Sequence, residues 1–261
     1  MAEYIFDKAE DRRELERLRL IERIFDPASR RLLLATGIRP GWTCLEVGPG
    51  AGSVLSWLGE AVGPLGRVTG VELNPRFLPA ERPPQVEVVA GDICRVSLPP
   101  GSFDLVHARF LLIHLANCGE ALDAMRRLLK PGGRLLLEEP DFSAARGVAG
   151  SPEALAAVEK VHRAIERMFT ARGLDHAFGI RLPAILEQGG WRDLSVERET
   201  PLSAGGSDMA RMMRLSAEQL REKYLATGAA TGADIEAYGR FADDPETSAV
   251  YHGVVRVTAK P

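Results

Sequence analysis

The stretch Thr43-Cys44-Leu45-Glu46-Val47-Gly48-Pro49-Gly50-Ala51-Gly52-Ser53 decides the fold. Thr43 to Val47 is a short apolar run of the kind that forms a buried strand. Three glycines at alternate positions then turn the chain, and a helix-like run, Ser53 to Ala61, follows. Glycine lacks a Cβ, so the backbone at such a turn can approach a ligand closely, and the helix start that follows offers free amides. A strand that turns on glycines into a helix N-terminus is a nucleotide-binding device. The spacing refines this. Dinucleotide turns favour G-x-G-x-x-G. Here the third glycine of that pattern is replaced by Ser53, and the motif reads E-x-G-x-G-x-G.

Downstream, the chain alternates between strand-like and helix-like runs, as an α/β fold does. After the helix at 53–61 come a turn at 63–66 and strands at 67–72, 86–90 and 103–108. A helix from about Gly119 to Leu129 is broken by Lys130-Pro131-Gly132-Gly133, and a fifth strand spans Arg134 to Glu138. Upstream, Asp7 to Ala35 has helical periodicity, with Asp26-Pro27 expected to interrupt it and Pro27 to open a second helix. Past Pro140 the rhythm changes. Ala144 to Gly150 reads as a loop, and Ser151-Pro152 starts a long amphipathic helix reaching about Arg172. Helices are expected at 182–188, 207–227 and 231–241, with strands at 191–199 and 250–258.

Acidic residues follow the glycines at regular intervals. Glu72, at the end of the second strand, lies 20 residues past Gly52, and Asp92 lies 20 residues further. A carboxylate at the first position can accept both hydrogens of a ribose diol. One at the second can accept the amino hydrogen of an adenine. Both stand at the carboxyl ends of expected parallel strands, where ligands bind in open α/β sheets. Taken singly, each is more often a cap or a solvated loop residue.

Two more segments extend the series: Phe103-Asp104-Leu105-Val106-His107-Ala108-Arg109 and Leu128-Leu129-Lys130-Pro131-Gly132-Gly133-Arg134-Leu135. In this order, over roughly residues 40–141, the chain resembles the class I S-adenosylmethionine-dependent methyltransferases of the small-molecule type. The resemblance implies a Rossmann-like seven-stranded sheet, mostly parallel with an antiparallel last strand, helices on both faces and helical cap insertions. It implies a single methyltransferase domain: an N-terminal helical lid at 1–37, a cofactor-binding core at 38–141, cap insertions at 142–180 and 203–245, and final strands at 191–199 and 250–258. Tyr4, Phe6 and Arg19 are the candidate lid residues, although plain packing is the commoner role for any one of them.

The cofactor implied is S-adenosyl-L-methionine, leaving as S-adenosyl-L-homocysteine. Carried over by position, Gly48, Gly50 and Gly52 hold its methionyl part and Glu46 orients its ammonium. The Ala108 carbonyl accepts from the same ammonium. Glu72, with Leu73 beside it, takes the ribose, and Asp92 with the Ile93 amide takes the adenine. Arg109 borders the reactive methyl or, alternatively, salt-bridges Glu46 or Asp92.

A base is required only if the acceptor is an alcohol, phenol or weak carbon acid. The candidates are His114, Asp141 and His176, each open to a structural role. His107 reads as a buried strand histidine, His162 lies in the cap helix and His252 in the last strand. No His, Cys, Asp or Glu grouping has metal-ligand spacing, so no metal is expected. There is no G-x-S-x-G elbow for hydrolysis. The tetrad that exocyclic-amine methyltransferases of nucleic acids often carry is replaced by His107-Ala108-Arg109-Phe110, which disfavours base N-methylation. Met209, Met212, Met213, Leu215 and Phe169 either line a pocket for a small apolar acceptor or pack a core.

Composition agrees with these readings. The 261 residues suit one large domain, 45% hydrophobic content supplies a core, and a net charge of −3 argues against a general polyanion binder. Cys44, Cys94 and Cys118 read as free buried thiols in a reducing compartment. No signal peptide and no apolar stretch of the ~20 residues needed to span a bilayer is visible. The expectation is a cytoplasmic enzyme that methylates O, N or C of a small organic acceptor, with no nucleic-acid or membrane partner and with a homodimer left open. Two rivals stand: a non-catalytic S-adenosylmethionine-binding protein, and an NAD-dependent oxidoreductase on the same type of sheet.

Overall fold

The computed structural model describes Phe6 and residues 11–261. Tyr4 and the first residues of the expected leading helix lie outside the described residues. Strands β1 (Thr43–Val47), β2 (Arg67–Glu72), β3 (Val86–Ala90), β4 (Phe103–Arg109) and β5 (Leu129–Asp141) form the parallel body of a sheet, joined by β7 (Arg192–Glu199) and β10 (Gly253–Lys260). The order is β3-β2-β1-β4-β5-β10-β7, seven strands with one antiparallel, as the sequence implies. Glu46 in β1 sits in register with Gly70 of β2 and His107 of β4, and His107 with Leu136 of β5. These pairings carry Glu46, Glu72 and Ala108 to the same end of the sheet, because parallel strands in register end together.

The core beside the sheet is built from Leu33, Cys44, Val54, Leu55, Leu58, Val62, Val68, Leu105 and Leu136. Each fully buried aliphatic side chain contributes about 1.5–3 kcal/mol. Leu33 comes from α1 (Asp11–Ala35), and Val54 through Val62 from α2 (Ser53–Val62).

Several elements differ from their sequence reading. Helix α1 runs unbroken through Pro27. A mid-helix proline costs about 3 kcal/mol. The helix tolerates this because both sides of Pro27 are anchored: Phe25 and Ser29 are buried, and Asp26 is held by three partners described below. The Lys130-Pro131-Gly132-Gly133 turn is absorbed into β5, which starts at Leu129 opposite Phe103 with a register shift before Leu105. The expected loop at 144–150 contains β6 (Arg146–Ala149). It pairs antiparallel with β9 (Ser248–Val250), which also pairs with β8 (Ser203–Ala204). The expected strand from Val250 is therefore two strands, and His252 lies between them rather than inside the last one.

The remaining helices are α3 (Cys118–Leu128), α4 (Pro152–Ala171), α5 (Phe178–Gln188), α6 (Asp208–Gln219), α7 (Arg221–Ala226) and α8 (Gly232–Asp243). Ser151 caps α4, accepting from the Ala154 amide at 3.2 Å. Thr231 and Asp234 form a capping box on α8. The single helix expected at 207–227 divides at Leu220 into α6 and α7.

The chain divides into two compact units. One contains the described residues up to Ile24, with Pro140–Ile180 and Arg198–Val255. The other contains Phe25–Glu139, Arg181–Glu197 and Arg256–Pro261, and holds the glycine turn. Among the described residues no helix is long and apolar enough to cross a membrane. All three cysteines are free; Cys44 is buried, whereas Cys94 and Cys118 are only half-buried.

Candidate functional site

The glycine turn has the backbone its sequence demands. Gly48, Gly50 and Gly52 have φ of 71°, 60° and 91°, all left-handed. That region costs other residues roughly 1–2 kcal/mol each. The Gly48 amide donates to the Val71 carbonyl at 2.9 Å, tying the turn to β2. A Cβ on Gly48 would come within 3.1 Å of Leu111, and one on Gly52 within 2.9 Å of Leu78. Gly52 is the N-cap of α2 and has no side chain with which to accept from the amides of the first turn.

Glu46, just before this turn, is 4% exposed. Its Oε1 lies 3.6 Å from His107 Nδ1, an ion-pair distance rather than a hydrogen bond. Its Oε2 is buried and accepts no hydrogen bond among the described residues. A buried carboxylate oxygen without a donor is costly, on the order of 1–3 kcal/mol or more, and marks a place for a cationic donor.

Glu72 closes β2. Its carboxylate accepts from the Asn74 amide at 3.0 Å and stands against the amides of Gly50 and Leu73. Burial pushes its carboxyl up from the usual range, and the backbone donors work against that rise. Leu73, next to it, is 58% exposed, an apolar surface beside an acceptor. Past β3, Asp92 Oδ1 accepts from the Cys94 amide at 2.9 Å, and Ile93 is buried. The Gly91 amide donates to the Glu72 carbonyl at 2.9 Å, so the turns carrying Glu72 and Asp92 are joined directly.

At the end of β4, buried Ala108 is in register with Val47. Arg109 pairs with neither Glu46 nor Asp92, as the alternative reading had it. Its guanidinium donates to Ser29 Oγ at 2.8 Å and Asp26 Oδ1 at 3.0 Å. Asp26 also accepts from Ser53 Oγ at 3.0 Å and Arg30 at 3.1 Å. One carboxylate thus fastens α1 to the first residue of α2 and to the end of β4. Sequence reasoning missed Asp26, treating Asp26-Pro27 as a helix break. The signal available was an acid one residue before a mid-helix proline.

Phe110 has φ 55°, unusual for a residue with a side chain, and its ring meets Phe25 edge-on at 4.8 Å. The turn that follows is held from below by Glu139. Its carboxylate accepts from the amides of Leu111, Leu112 and Ile113 at 3.1, 2.8 and 3.2 Å. Burial nevertheless raises Glu139 to about 8. His114 ends the short 3-10 turn Leu112–His114.

The other two candidate bases belong to the unit that contains Pro140–Ile180, not to the one that holds the glycine turn. Asp141 is fully buried and spent on structure: it accepts from the amide and hydroxyl of Ser143 and from Arg198 at 3.1 Å. The His176 carbonyl accepts from the Phe142 amide at 2.9 Å. Within this unit Phe142 packs against Phe169 and His252 with centroids 5.8 and 5.2 Å apart. Met209, Met212, Met213 and Leu215 are all buried. Of the candidate lid residues, Phe6 lies under the Arg17 guanidinium at 3.8 Å, and Arg19 pairs with Glu22 at 3.6 Å.

Comparison with known proteins agrees with this geometry. Residues 45–137 match the family described as "Methyltransferase domain". The chain is 33% identical over 112 residues to the ubiquinone/menaquinone biosynthesis C-methyltransferase UbiE of Ectopseudomonas mendocina, covering 40% of this chain and 44% of that one. It is 35% identical over 123 residues to the nocamycin O-methyltransferase of Saccharothrix syringae, covering 44% of each. The match therefore spans less than half the length of these relatives. Among solved structures, a Haemonchus contortus phosphoethanolamine N-methyltransferase 2 bound to phosphomonomethylethanolamine and S-adenosylhomocysteine has a similar fold. Its TM-score is 0.57 at 18% identity, over 94% of this chain and 57% of that one.

Proposed function

We infer that this protein, whose residues 45–137 match the methyltransferase-domain family, is a class I S-adenosylmethionine-dependent enzyme that transfers a methyl group to O, N or C of a small organic acceptor by in-line displacement. The observation that carries this reading is the buried, donorless Oε2 of Glu46 two residues before three left-handed glycines. A cationic amine satisfies that oxygen. The pyrophosphate that such a turn holds in dinucleotide folds is an anion with no proton to donate, and the Glu46 carboxylate beside it would repel it.

S-Adenosylmethionine supplies a methyl group on a positively charged sulfur, so the leaving group departs neutral and needs no acid. The work left to the protein is orientation, worth up to about 7–11 kcal/mol in favourable cases. Gly48, Gly50 and Gly52 bring backbone close to the amino-acid tail. Glu46 and the Ala108 carbonyl accept from its ammonium. Glu72 accepts from the ribose hydroxyls with Leu73 alongside, and Asp92 with the Ile93 amide binds the adenine. Arg109, fixed by Asp26 and Ser29, contributes by holding the β4 end and the glycine turn to α1.

Where the acceptor needs a proton removed, His114 and His176 are the bases this reading favours. Asp141, already bound by Ser143 and Arg198, serves to hold its loop. Residues 1–37 are proposed as an N-terminal lid, and 142–180 and 203–245 as cap insertions. The two named sequence relatives are a C-methyltransferase of ubiquinone/menaquinone biosynthesis and a nocamycin O-methyltransferase, which supports a small acceptor while leaving the methylated atom open. The same reading takes the enzyme to be cytoplasmic, without a nucleic-acid or membrane partner, and allows a homodimer.

Titration calorimetry with S-adenosylmethionine, S-adenosylhomocysteine and NAD, followed by transfer of labelled methyl to a panel of phenols, quinols and amines, tests the proposal. Binding of the two sulfur nucleosides and label transfer to one acceptor class is expected. Binding of NAD alone would overturn it, and binding without transfer to any acceptor would favour a non-catalytic binder.

A further inference from the structure

His107 belongs to none of the assigned roles, yet it is a fully buried ionisable group in register with Glu46, two residues before the glycine turn. Its ring is 0% exposed, and each nitrogen faces a carboxylate. Nε2 is 3.0 Å from Glu138 Oε1, and Nδ1 is 3.6 Å from Glu46 Oε1. Glu138 in turn accepts from Arg256 Nε at 2.9 Å, and Arg256 is 1% exposed. Arg256 also reaches Glu197 at 3.4 Å.

The charged groups around His107 come from every strand packed against it: Glu46 from β1, Glu138 from β5 and Arg256 from β10. Arg109 of its own strand and Ser29 of α1 act on the Glu138 side. With His107 protonated, the buried set of Glu46, His107, Glu138 and Arg256 is neutral overall. With His107 neutral, one ring nitrogen is a lone pair facing a carboxylate, and a buried anion is left without compensation. Burial by itself pushes His107 down, but the hydrogen bond to Glu138 and the proximity of Glu46 outweigh it and hold the imidazole at about 9. Burial likewise pushes Glu138 up, and the His107 partner overrides it, holding the carboxyl at about 2.

We propose that His107, fixed between Glu138 and Glu46, is a positioning residue: it holds the Glu46 carboxylate oriented so that Oε1 faces the ring and Oε2 is left to accept from the cofactor's ammonium. This rests on the methyltransferase reading above. The device therefore acts on the amino-acid tail of the cofactor alone. The nucleoside half is held by Glu72 and Asp92, which do not touch His107.

The test compares S-adenosylhomocysteine, which carries the tail, with 5′-methylthioadenosine, which lacks it. Calorimetry is run on wild type, His107→Phe and His107→Gln. Loss of a charge-assisted contact predicts about a ten- to hundredfold weaker S-adenosylhomocysteine affinity in the Phe variant. Methylthioadenosine affinity should change by less than about twofold on the same scale. Equal loss for both ligands makes His107 a scaffold residue and overturns the proposal, as does unchanged S-adenosylhomocysteine affinity. The Gln variant carries the same comparison if the Phe variant fails to fold. Nitrogen-15 NMR of the histidine rings in the ligand-free wild type supplies an independent readout. Both His107 nitrogens should stay protonated at pH 7.5, and a neutral ring there refutes the device. A wild type that binds neither ligand, with His107 doubly protonated, would instead sink the functional reading and leave the clamp standing.

Discussion

Replacing Glu72 by alanine probes the nucleoside half of the proposed site. In the free protein the Glu72 carboxylate is already fixed by the Asn74 amide at 3.0 Å and by the amides of Gly50 and Leu73. Little ordering cost is then left for ligand binding. Two hydroxyl donors to a charged acceptor contribute about 1.5–3 kcal/mol each. Alanine also leaves three backbone amides to be taken over by water, which loosens the turn at Gly50. The lower end of the range, about 3 kcal/mol, corresponds to roughly a hundredfold loss of S-adenosylhomocysteine affinity. Glu72→Gln keeps one acceptor and should lose about tenfold on the same scale. Burial raises the Glu72 carboxyl, so wild-type affinity should begin to fall at a higher pH on acidification than an ordinary glutamate would give, whereas the Gln variant should be flat. Calorimetry at pH 7.5 and over an acid series reads both effects, with thermal unfolding as the check on folding. Methylthioadenosine shares the ribose and should lose as much as S-adenosylhomocysteine. An alanine variant within twofold of wild type, or one that loses only the ligand with the amino-acid tail, would refute the ribose assignment.

Two further outcomes follow from the same geometry. Gly52→Ala adds left-handed strain of about 1–2 kcal/mol and a Cβ 2.9 Å from Leu78 and 3.2 Å from Pro79. It should cost about 2–4 kcal/mol in urea unfolding, whereas Gly101→Ala, left-handed but in open space, should cost about 1 kcal/mol; equal costs would mean the close packing at Gly52 is absent. Glu139 is raised by burial from 4.5 to about 8, so the folded state holds a proton that the unfolded state releases. Its contribution is fully present below pH 4.5 and is lost as pH rises through 8. Urea midpoints of wild type relative to Glu139→Gln should therefore decline between those values and level off above them, and a pH-independent difference would show that Glu139 is ionised throughout.

The parallel body of the sheet was legible at strand resolution. Strands at 43–47, 67–72 and 86–90 have the bounds read from the sequence: the first two are buried along most of their length and leave an apolar run, and the third, an edge strand with no buried residue, is marked by its valines. The glycine turn was equally legible, since only glycine holds three left-handed positions within five residues at little cost. What failed were local stop signals overruled by distant contacts. Pro27 does not end α1, and Lys130-Pro131-Gly132-Gly133 does not delay β5. Strands β6, β8 and β9 are too short, two to four residues each, to leave a periodic pattern and exist only through their pairing.

By itself, then, the sequence determined the α/β alternation, the order of the cofactor motifs and the residues at the strand ends, because these depend on patterns within a dozen neighbouring residues. The tertiary structure alone decided the partners of the charges. Asp26 meets Arg109 across 83 positions, and Glu138 joins His107 across 31 and Arg256 across 118. Such pairings carry no local signature: a charge is buried only where the fold delivers its counterion, and that delivery depends on which strands lie side by side.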